Sequence, residues 1–336
     1  MDTKNTILQI ENLKVEFRVG RKCVHAVNDV NLTVHRGKTL GIVGESGCGK
    51  SVTAHSILKL LPQNGRIVNG KILFAETDGG PVQELQSMKR TGKEIRAVRG
   101  QKIAMIFQDP MMSLNPVYTI GSQIMENLKL HEKLEEKEAK ERIIRLLGQL
   151  GIPEPEQRYH EYPHQFSGGM KQRVMIAIAM ICNPGLLIAD EPTTALDVTI
   201  QKQILRLMRN LRDDFGTSVI LITHNMGIVA EACDEVAVMY MGRVVESGTV
   251  RQIFENPQHP YTRALLRSVP VPGMPEDVEL QSIEGSTPDA SIQFDHCEFE
   301  PRCEYACQEC FKGFPQAWEC EPGHVVRCFL RGGEES

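Results

Sequence analysis

Thr39-Leu40-Gly41-Ile42-Val43-Gly44-Glu45-Ser46-Gly47-Cys48-Gly49-Lys50-Ser51 runs from an apolar pentad into a glycine-rich turn. Its last eight residues fit G-x-x-x-x-G-K-[ST]. Thr39 to Val43 reads as a buried strand and Ser51 to Leu61 as a helix stopped by Pro62, so the motif has the strand and helix it needs on either side. The glycines let backbone N–H groups turn inward as an anion nest, and the helix N-terminus adds its positive end. Lys50 is then placed for the β and γ phosphates of a nucleotide, and the Ser51 hydroxyl for Mg²⁺. Gly44, Glu45, Ser46, Gly47, Cys48, Gly49, Lys50 and Ser51 are the candidate nucleotide-binding residues. A glycine-rich turn that binds nothing is the bland alternative. Alone, the stretch says P-loop nucleotide binder and leaves kinases, GTPases and motors open.

Four further apolar runs lie downstream, at Ile103 to Phe107, Leu186 to Ala189, Val219 to Thr223 and Val236 to Met239. Helical patterns separate several of them, which is the βαβ signature of a largely parallel sheet. Upstream, Ile7 to Ile10 reads as a short strand and the alternation from Val24 to Val34 as a half-buried strand pair. A long insertion divides the Ile103 and Leu186 runs. Within it, Glu132 to Leu150 carries Ile143, Leu147 and Leu150 as a helix stripe, with Gly151 as C-cap, and Val174 to Ile181 reads as a more buried helix. After about residue 250 the texture changes: Pro257, Pro260, Pro270, Pro272, Pro275 and Pro288 mark a loop-rich linker.

Composition narrows the classes. With 336 residues, 41% hydrophobic and 24% charged, the chain suits a large globular domain plus an extension, and a disordered tail, a collagen-like fibre and a disulfide miniprotein are excluded. Lys and Arg number 38 against 43 Asp and Glu, so bulk charge gives no reason to expect a nucleic-acid partner. The longest uncharged apolar run, Val174 to Cys182, is nine residues, about half of a bilayer span. No signal peptide pattern opens the sequence, so the expectation is a cytosolic protein that reaches a membrane through partners. Cysteine usage is lopsided: six of the ten crowd into the last 40 residues, which in a cytosolic chain argues for a metal or cluster site before disulfides.

Leu186-Leu187-Ile188-Ala189-Asp190-Glu191 is a buried strand ending in two acids. Paired with a P-loop, it puts Asp190 beside the metal and Glu191 over the γ-phosphate, where it polarises a water. Phe166-Ser167-Gly168-Gly169-Met170-Lys171-Gln172-Arg173 opens another helix: Ser167 suits an N-cap, and the glycines expose N–H groups. This is a second anion-binding helix end in a chain with one P-loop, which one reading assigns to a phosphate on another subunit.

Here the chain resembles the ATPase subunits of ATP-binding cassette (ABC) transporters, over about residues 7 to 250. The P-loop, the Ser167–Gly169 signature, Asp190 and Glu191, the turn Ala195-Leu196-Asp197, Gln108 after a strand and His224 at a strand end all stand in that family's order. Phe166 and Met170 replace the leucine and glutamine of the commonest signature, and neither change removes the serine or glycine donors. The resemblance implies an α/β P-loop NTPase of the ABC type, with a mixed β-sheet, a helical signature subdomain at about 109–182, an ATPase domain over 5–255 and a small Cys-rich C-terminal extension over 256–336. It implies that Glu191, His224 and Gln108 are catalytic. Ser51, Gln108 and Asp190 would surround Mg²⁺, Phe17 would lie under the adenine ring, and Asp197 would face the subunit interface. Phe17 and His224 each have a plain alternative, as a core aromatic and as a strand-end histidine bonded to backbone. In the implied mechanism two ATPase subunits face head to tail, and each ATP sits between one P-loop and the opposing Ser167–Gly169 helix end.

Phe107-Gln108-Asp109-Pro110 with Ser113-Leu114-Asn115-Pro116, and Asn256-Pro257-Gln258-His259-Pro260-Tyr261-Thr262, resemble the branch that imports di- and oligopeptides. That branch includes nickel and glutathione importers. It implies two membrane permeases, an outside solute-binding protein, a second and usually non-identical ATPase, and a peripheral place on the cytoplasmic membrane face. The insertion after Gln108 would receive the permeases' coupling helices. Cys297, Cys303, Cys310 and Cys328, spaced C-x₅-C-x₆-C-x₁₇-C, resemble the [4Fe–4S] ligands of some members, with Cys307 and Cys320 as spares. A Cys₄ zinc site that uses Cys307-x-x-Cys310 and a set of free thiols are the rival readings. A soluble ABC ATPase acting on ribosomes or DNA is the competing function. The acidic balance and the single ATPase unit weigh against it, and the intact Lys50, Asp190, Glu191 and His224 against a non-enzymatic regulator.

Overall fold

The computed structural model describes residues 1–109, 113–194, 196–268 and 283–332. Pro110, Ala195, Pro270, Pro272 and Pro275, each named above, lie outside the described residues. The centre is an eight-stranded mixed sheet built on the strand that precedes the P-loop. The pentad Thr39–Val43 forms β3 and is buried at every position. Beside it run β8 (Ser218–Thr223) and β9 (Glu235–Tyr240), and β7 (Leu186–Asp190) and β6 (Ile103–Ile106) continue the sheet beyond β8. These five are parallel. Near-continuous Val, Ile and Leu is what strands covered on both faces require. Beyond β9 the sheet turns antiparallel through β10 (Arg243–Thr249), then β12 (His324–Val326) and β11 (Trp318–Glu321).

A second, antiparallel sheet has the order β2-β1-β4-β5, with β1 at Thr6–Val19, β2 at Lys22–His35, β4 at Gly65–Ala75 and β5 at Val82–Glu84. Two sequence expectations change here. Ile7 to Ile10 is only the start of a fourteen-residue strand, and Val24 to Val34 is one strand, not a pair. Its partner is β1 across a short turn, and the register slips between Val15↔Val27 and Glu16↔His25. Such bulges disturb the alternation that would reveal a single strand. Helix α1 (Lys50–Ile57) is shorter than the expected Ser51 to Leu61, because Lys59 takes a left-handed φ of 51° before Pro62 is reached.

The insertion holds two amphipathic helices where one was expected. Ile120–His131 buries Ile120, Ile124, Met125 and Leu128, and Glu136–Gln149 buries Ala139, Ile143, Leu146 and Leu147. Glu132 lies between them in extended backbone, so the helix expected from Glu132 begins only at Glu136, and the helix Ile120–His131 was not expected. Gly151, at φ 70°, follows the second as the expected left-handed terminator. These helices, with the helix Gly168–Met180, share one core with Ile106, Leu187, Ala189 and Leu221 on one face of the central sheet. The other face packs α1 and the smaller sheet around Ile42, Ile57, Phe74 and Ile222.

The C-terminal hairpin β11–β12 is knitted into the central sheet by pairing Glu246 with Val326 and Ser247 with Val325. Glu246 is fully buried there. Its carboxylate accepts the backbone N–H groups of Gln258 (2.7 Å) and His259 (2.8 Å) and lies 2.7 Å from Nε2 of the equally buried His324. Among the described residues no helix is long and apolar enough to cross a membrane.

Candidate active site

The P-loop leaves β3 at Gly44 (φ 151°) and enters α1 at Gly49 (φ 99°). A side chain at Gly49 would sit 2.4 Å from the Ala26 carbonyl, so only glycine lets the loop lie this close to β2. Lys50 is buried, and its Nζ donates to the carbonyls of Gly44 (2.7 Å) and Glu45 (2.8 Å). Burial holds the Cys48 thiol above its ordinary range, which makes this loop cysteine a neutral packing group.

Strand β7 delivers the two acids to this loop. Ser51 Oγ donates to Asp190 Oδ1 at 3.0 Å. Asp190 is 3% exposed, and burial raises its pKa although the Ser51 hydrogen bond opposes the shift. A hydroxyl and a carboxylate in contact beside a phosphate loop are hard oxygen donors, the type Mg²⁺ takes together with nucleotide phosphates. The residues therefore fit the ion.

Glu191 has a φ of 47°, and its N–H crosses to the Ile222 carbonyl at 2.9 Å. A left-handed glutamate is a strained conformation of the kind that collects at functional sites. It aims the carboxylate away from the strand, where three side chains converge on it. Gln108 Nε2 donates to Oε2 at 3.1 Å, Thr194 Oγ1 donates to the same oxygen at 3.0 Å, and His224 Nδ1 stands 3.1 Å from Oε1. Burial pushes the Glu191 pKa up, but the hydrogen bonds from His224 and Thr194 and the charges of His224 and Lys50 together outweigh it and leave the group below its ordinary value. Gln108 and His224, 116 positions apart in sequence, thus meet on one carboxylate. Thr194 was missed, although it lies three residues after Glu191.

The signature lies at a separate helix start. Ser167 Oγ accepts the Met170 N–H at 3.3 Å, the N-cap its residue type suggested. Any side chain at Gly169 would meet Ile200 at 2.8 Å. Ile200 belongs to the helix Val198–Phe215, which Asp197 caps by accepting the N–H groups of Thr199 and Ile200 at 3.0 Å each. Asp197 is exposed and caps the helix whose Ile200 packs against Gly169. Phe17 is half-buried on β1, opposite Gly65 and opposite Val24, which lies two positions along β2 from Ala26, the residue whose carbonyl crowds Gly49.

The C-terminal thiols gather but do not close on a point. The Cys307 and Cys310 sulfurs are 3.5 Å apart, and the Cys297 N–H donates to the Cys310 carbonyl at 3.2 Å. Burial, then the charges of neighbouring thiols and acids, raises the pKa values of Cys297 (to about 12), Cys303 and Cys310, and both Cys297 and Cys310 feel Cys328. Buried thiols set against one another are a soft donor set whose pKa logic a bound metal inverts. Cys320 stands apart, with its sulfur on the His324 carbonyl at 3.2 Å. Among the described residues no three of these sulfurs lie within 4.8 Å of one another. A single zinc at about 2.3 Å from each thiolate would need them all at roughly 3.8 Å.

Residues 27–194 match the ABC transporter family, and residues 245–310 match the family described as the oligopeptide/dipeptide transporter C-terminal region. The dipeptide transport ATP-binding protein DppD of Bacillus subtilis is 46% identical over 326 residues, 97% of this chain and 95% of the relative. The oligopeptide transport ATP-binding protein AppD of the same organism is 47% identical over 336 residues, 99% of this chain and all of the relative. Among solved structures, a dimeric ATP-binding cassette in a post-hydrolysis state bound to ADP and phosphate superposes with a TM-score of 0.63 at 25% identity, covering 73% of this chain and 99% of its own. The cbiO1 protein of Clostridium perfringens, part of an ABC transporter complex, gives 0.62 at 29% identity over 75% and 92%.

Proposed function

The chain belongs to the ABC transporter family as an ATP-hydrolysing subunit of the peptide-importer type, and we propose that it drives uptake of di- and oligopeptides through a pair of membrane permeases. The observation that carries the motor reading is the convergence of Gln108, Thr194 and His224 on the Glu191 carboxylate, beside the Ser51–Asp190 contact. In this reading Glu191 orients and polarises the attacking water, His224 contacts the γ-phosphate, and Gln108 reports the occupancy of the site to the permeases. Ser51 and Asp190 hold Mg²⁺, Lys50 neutralises the β and γ phosphates, and Phe17 supports the adenine ring. The Ser167–Gly169 helix end faces ATP held by a second ATPase subunit, a non-identical paralogue, with Asp197 at the join. The solved cassette that is dimeric and bound to ADP and phosphate supports the pairing of two such subunits.

The permease contact falls beside Gln108. An apolar groove there is lined by Leu58, Leu60, Met105, Phe107, Leu130 and Ile178, with Leu130 71% exposed. A groove of this kind accepts an amphipathic helix. The chain then sits at the cytoplasmic membrane face, fed from outside by a solute-binding protein. Cells that lack the chain are expected to lose uptake of labelled di-, tri- or pentapeptides and to keep nickel uptake. Loss of nickel alone would replace peptide with nickel as cargo, and unchanged uptake of every solute would contradict the importer.

Cys297, Cys303, Cys310 and Cys328 are proposed to hold a [4Fe–4S] cluster, on the strength of their C-x₅-C-x₆-C-x₁₇-C spacing and of four thiols that give such a cluster full ligation. Such a group staples a loop-rich segment that has little core of its own. Protein purified without oxygen is expected to carry about four iron and four sulfide per chain and to lose both in Cys310→Ser. Iron-free protein would overturn the cluster, and stoichiometric zinc would assign the rival site.

A further inference from the structure

Glu45 is the first variable residue of the phosphate loop, and its carboxylate and N–H are both held from beyond residue 255. Arg302 grips the carboxylate with two prongs, Nη1 to Oε2 at 2.7 Å and Nη2 to Oε1 at 3.0 Å. Thr287 Oγ1 donates to Oε2 at 3.1 Å, and the Glu45 N–H donates to Tyr261 Oη at 2.9 Å. The Arg302 side chain is 4% exposed. Its guanidinium lies 5.8 Å from the Tyr240 ring, which packs at 4.7 Å on Tyr261. A two-pronged, charge-assisted pair with so little solvent is both strong and geometrically exact in its demands.

The charge matters as much as the geometry. Glu45 places a carboxylate on a loop that receives a polyanion, and unlike a surface acid it is not screened by bulk water on the Arg302 side. Unpaired, it would repel the incoming phosphates; paired, its charge is cancelled within one hydrogen-bond length. We propose that Arg302 is a positioning residue for nucleotide binding, anchoring and neutralising Glu45 so that the C-terminal extension sets the affinity of the phosphate loop for ATP. This rests on Gly44 to Ser51 being that loop.

The full-length chain is titrated with a fluorescent ATP analogue and its steady-state hydrolysis is followed in parallel. Arg302→Ala is expected to raise Kd and KM for ATP roughly tenfold while kcat at saturating ATP changes less than about twofold. Arg302→Lys, which keeps the charge and the fold but loses one prong, falls between the two. Glu45→Gln added to Arg302→Ala removes the unpaired charge and returns Kd to within about threefold of the parent, a rescue that lost packing alone cannot give. An unchanged Kd in Arg302→Ala, or a double variant as weak as Arg302→Ala, overturns the proposal. Lys50→Ala, run alongside, tests the loop separately: binding lost there and kept in Arg302→Ala leaves the loop standing and removes the latch.

Discussion

Glu191→Gln is expected to bind ATP with parental affinity while hydrolysis falls roughly 100- to 10,000-fold, the usual worth of a placed general base. The amide keeps the shape of the side chain and can still bond Gln108, Thr194 and His224. What disappears is the carboxylate, which burial pushes up but the hydrogen bonds from His224 and Thr194 and the charges of His224 and Lys50 hold below its ordinary pKa. ATP should therefore hold the paired subunits closed without release, since opening depends on hydrolysis. Gel filtration of the chain with its paralogous ATPase partner, ATP and Mg²⁺ checks this, with the variant eluting as a stable pair and the parent as a shifting mixture. Near-parental turnover would remove Glu191 from its role.

The second large effect is on stability. Glu246→Ala is expected to cost roughly 3–5 kcal/mol, because it takes one buried carboxylate away from three partners at once. The N–H groups of Gln258 and His259 would lose their acceptor, and His324 Nε2 the carboxylate oxygen that lies 2.7 Å away. Against a total stability of about 5–15 kcal/mol, such a loss unfolds a large share of the chain on modest heating. Thermal unfolding should show Tm falling by several degrees, with the hairpin at residues 318–326 the first segment cut by protease. A Tm within about one degree of the parent would show that the buried carboxylate does not hold the extension to the sheet.

Both variants mark the boundary between what was legible in the sequence and what was not. The phosphate loop could be read because its chemistry is local: glycine spacing, lysine and serine stand in one octet between a strand and a helix. Asp190 and Glu191 could be read because a run of buried aliphatic residues ends on them. That Gln108 and His224 reach the Glu191 carboxylate follows from strand order, since β6, β7 and β8 are neighbours in the sheet. Helix ends were placed poorly where the chain bends at a polar residue, as at Lys59 and Glu132, which no composition rule distinguishes from a solvated helix face. The strand Gly65–Ala75 escaped notice because Asn69 and Gly70, the latter at φ 102°, interrupt its alternation. Contacts between the extension and the ATPase sheet were invisible for a different reason. Arg302 and Glu45 lie 257 positions apart, and Glu246 and His324 lie 78 apart, so no window of sequence contains either pair. In the sequence Tyr261 stands only as part of a family-like stretch, and its bond to the Glu45 N–H gives that tyrosine a physical task.

The central claim is that hydrolysis at Glu191 drives peptide movement across a membrane. It is tested most directly by purifying the chain with its associated permeases, reconstituting the complex in liposomes, and measuring ATP hydrolysis and peptide accumulation together with and without peptide-loaded binding protein. Hydrolysis should rise on adding the loaded binding protein, labelled peptide should accumulate, and Glu191→Gln should abolish both. Hydrolysis indifferent to peptide, or peptide accumulation that persists in Glu191→Gln, would contradict the account.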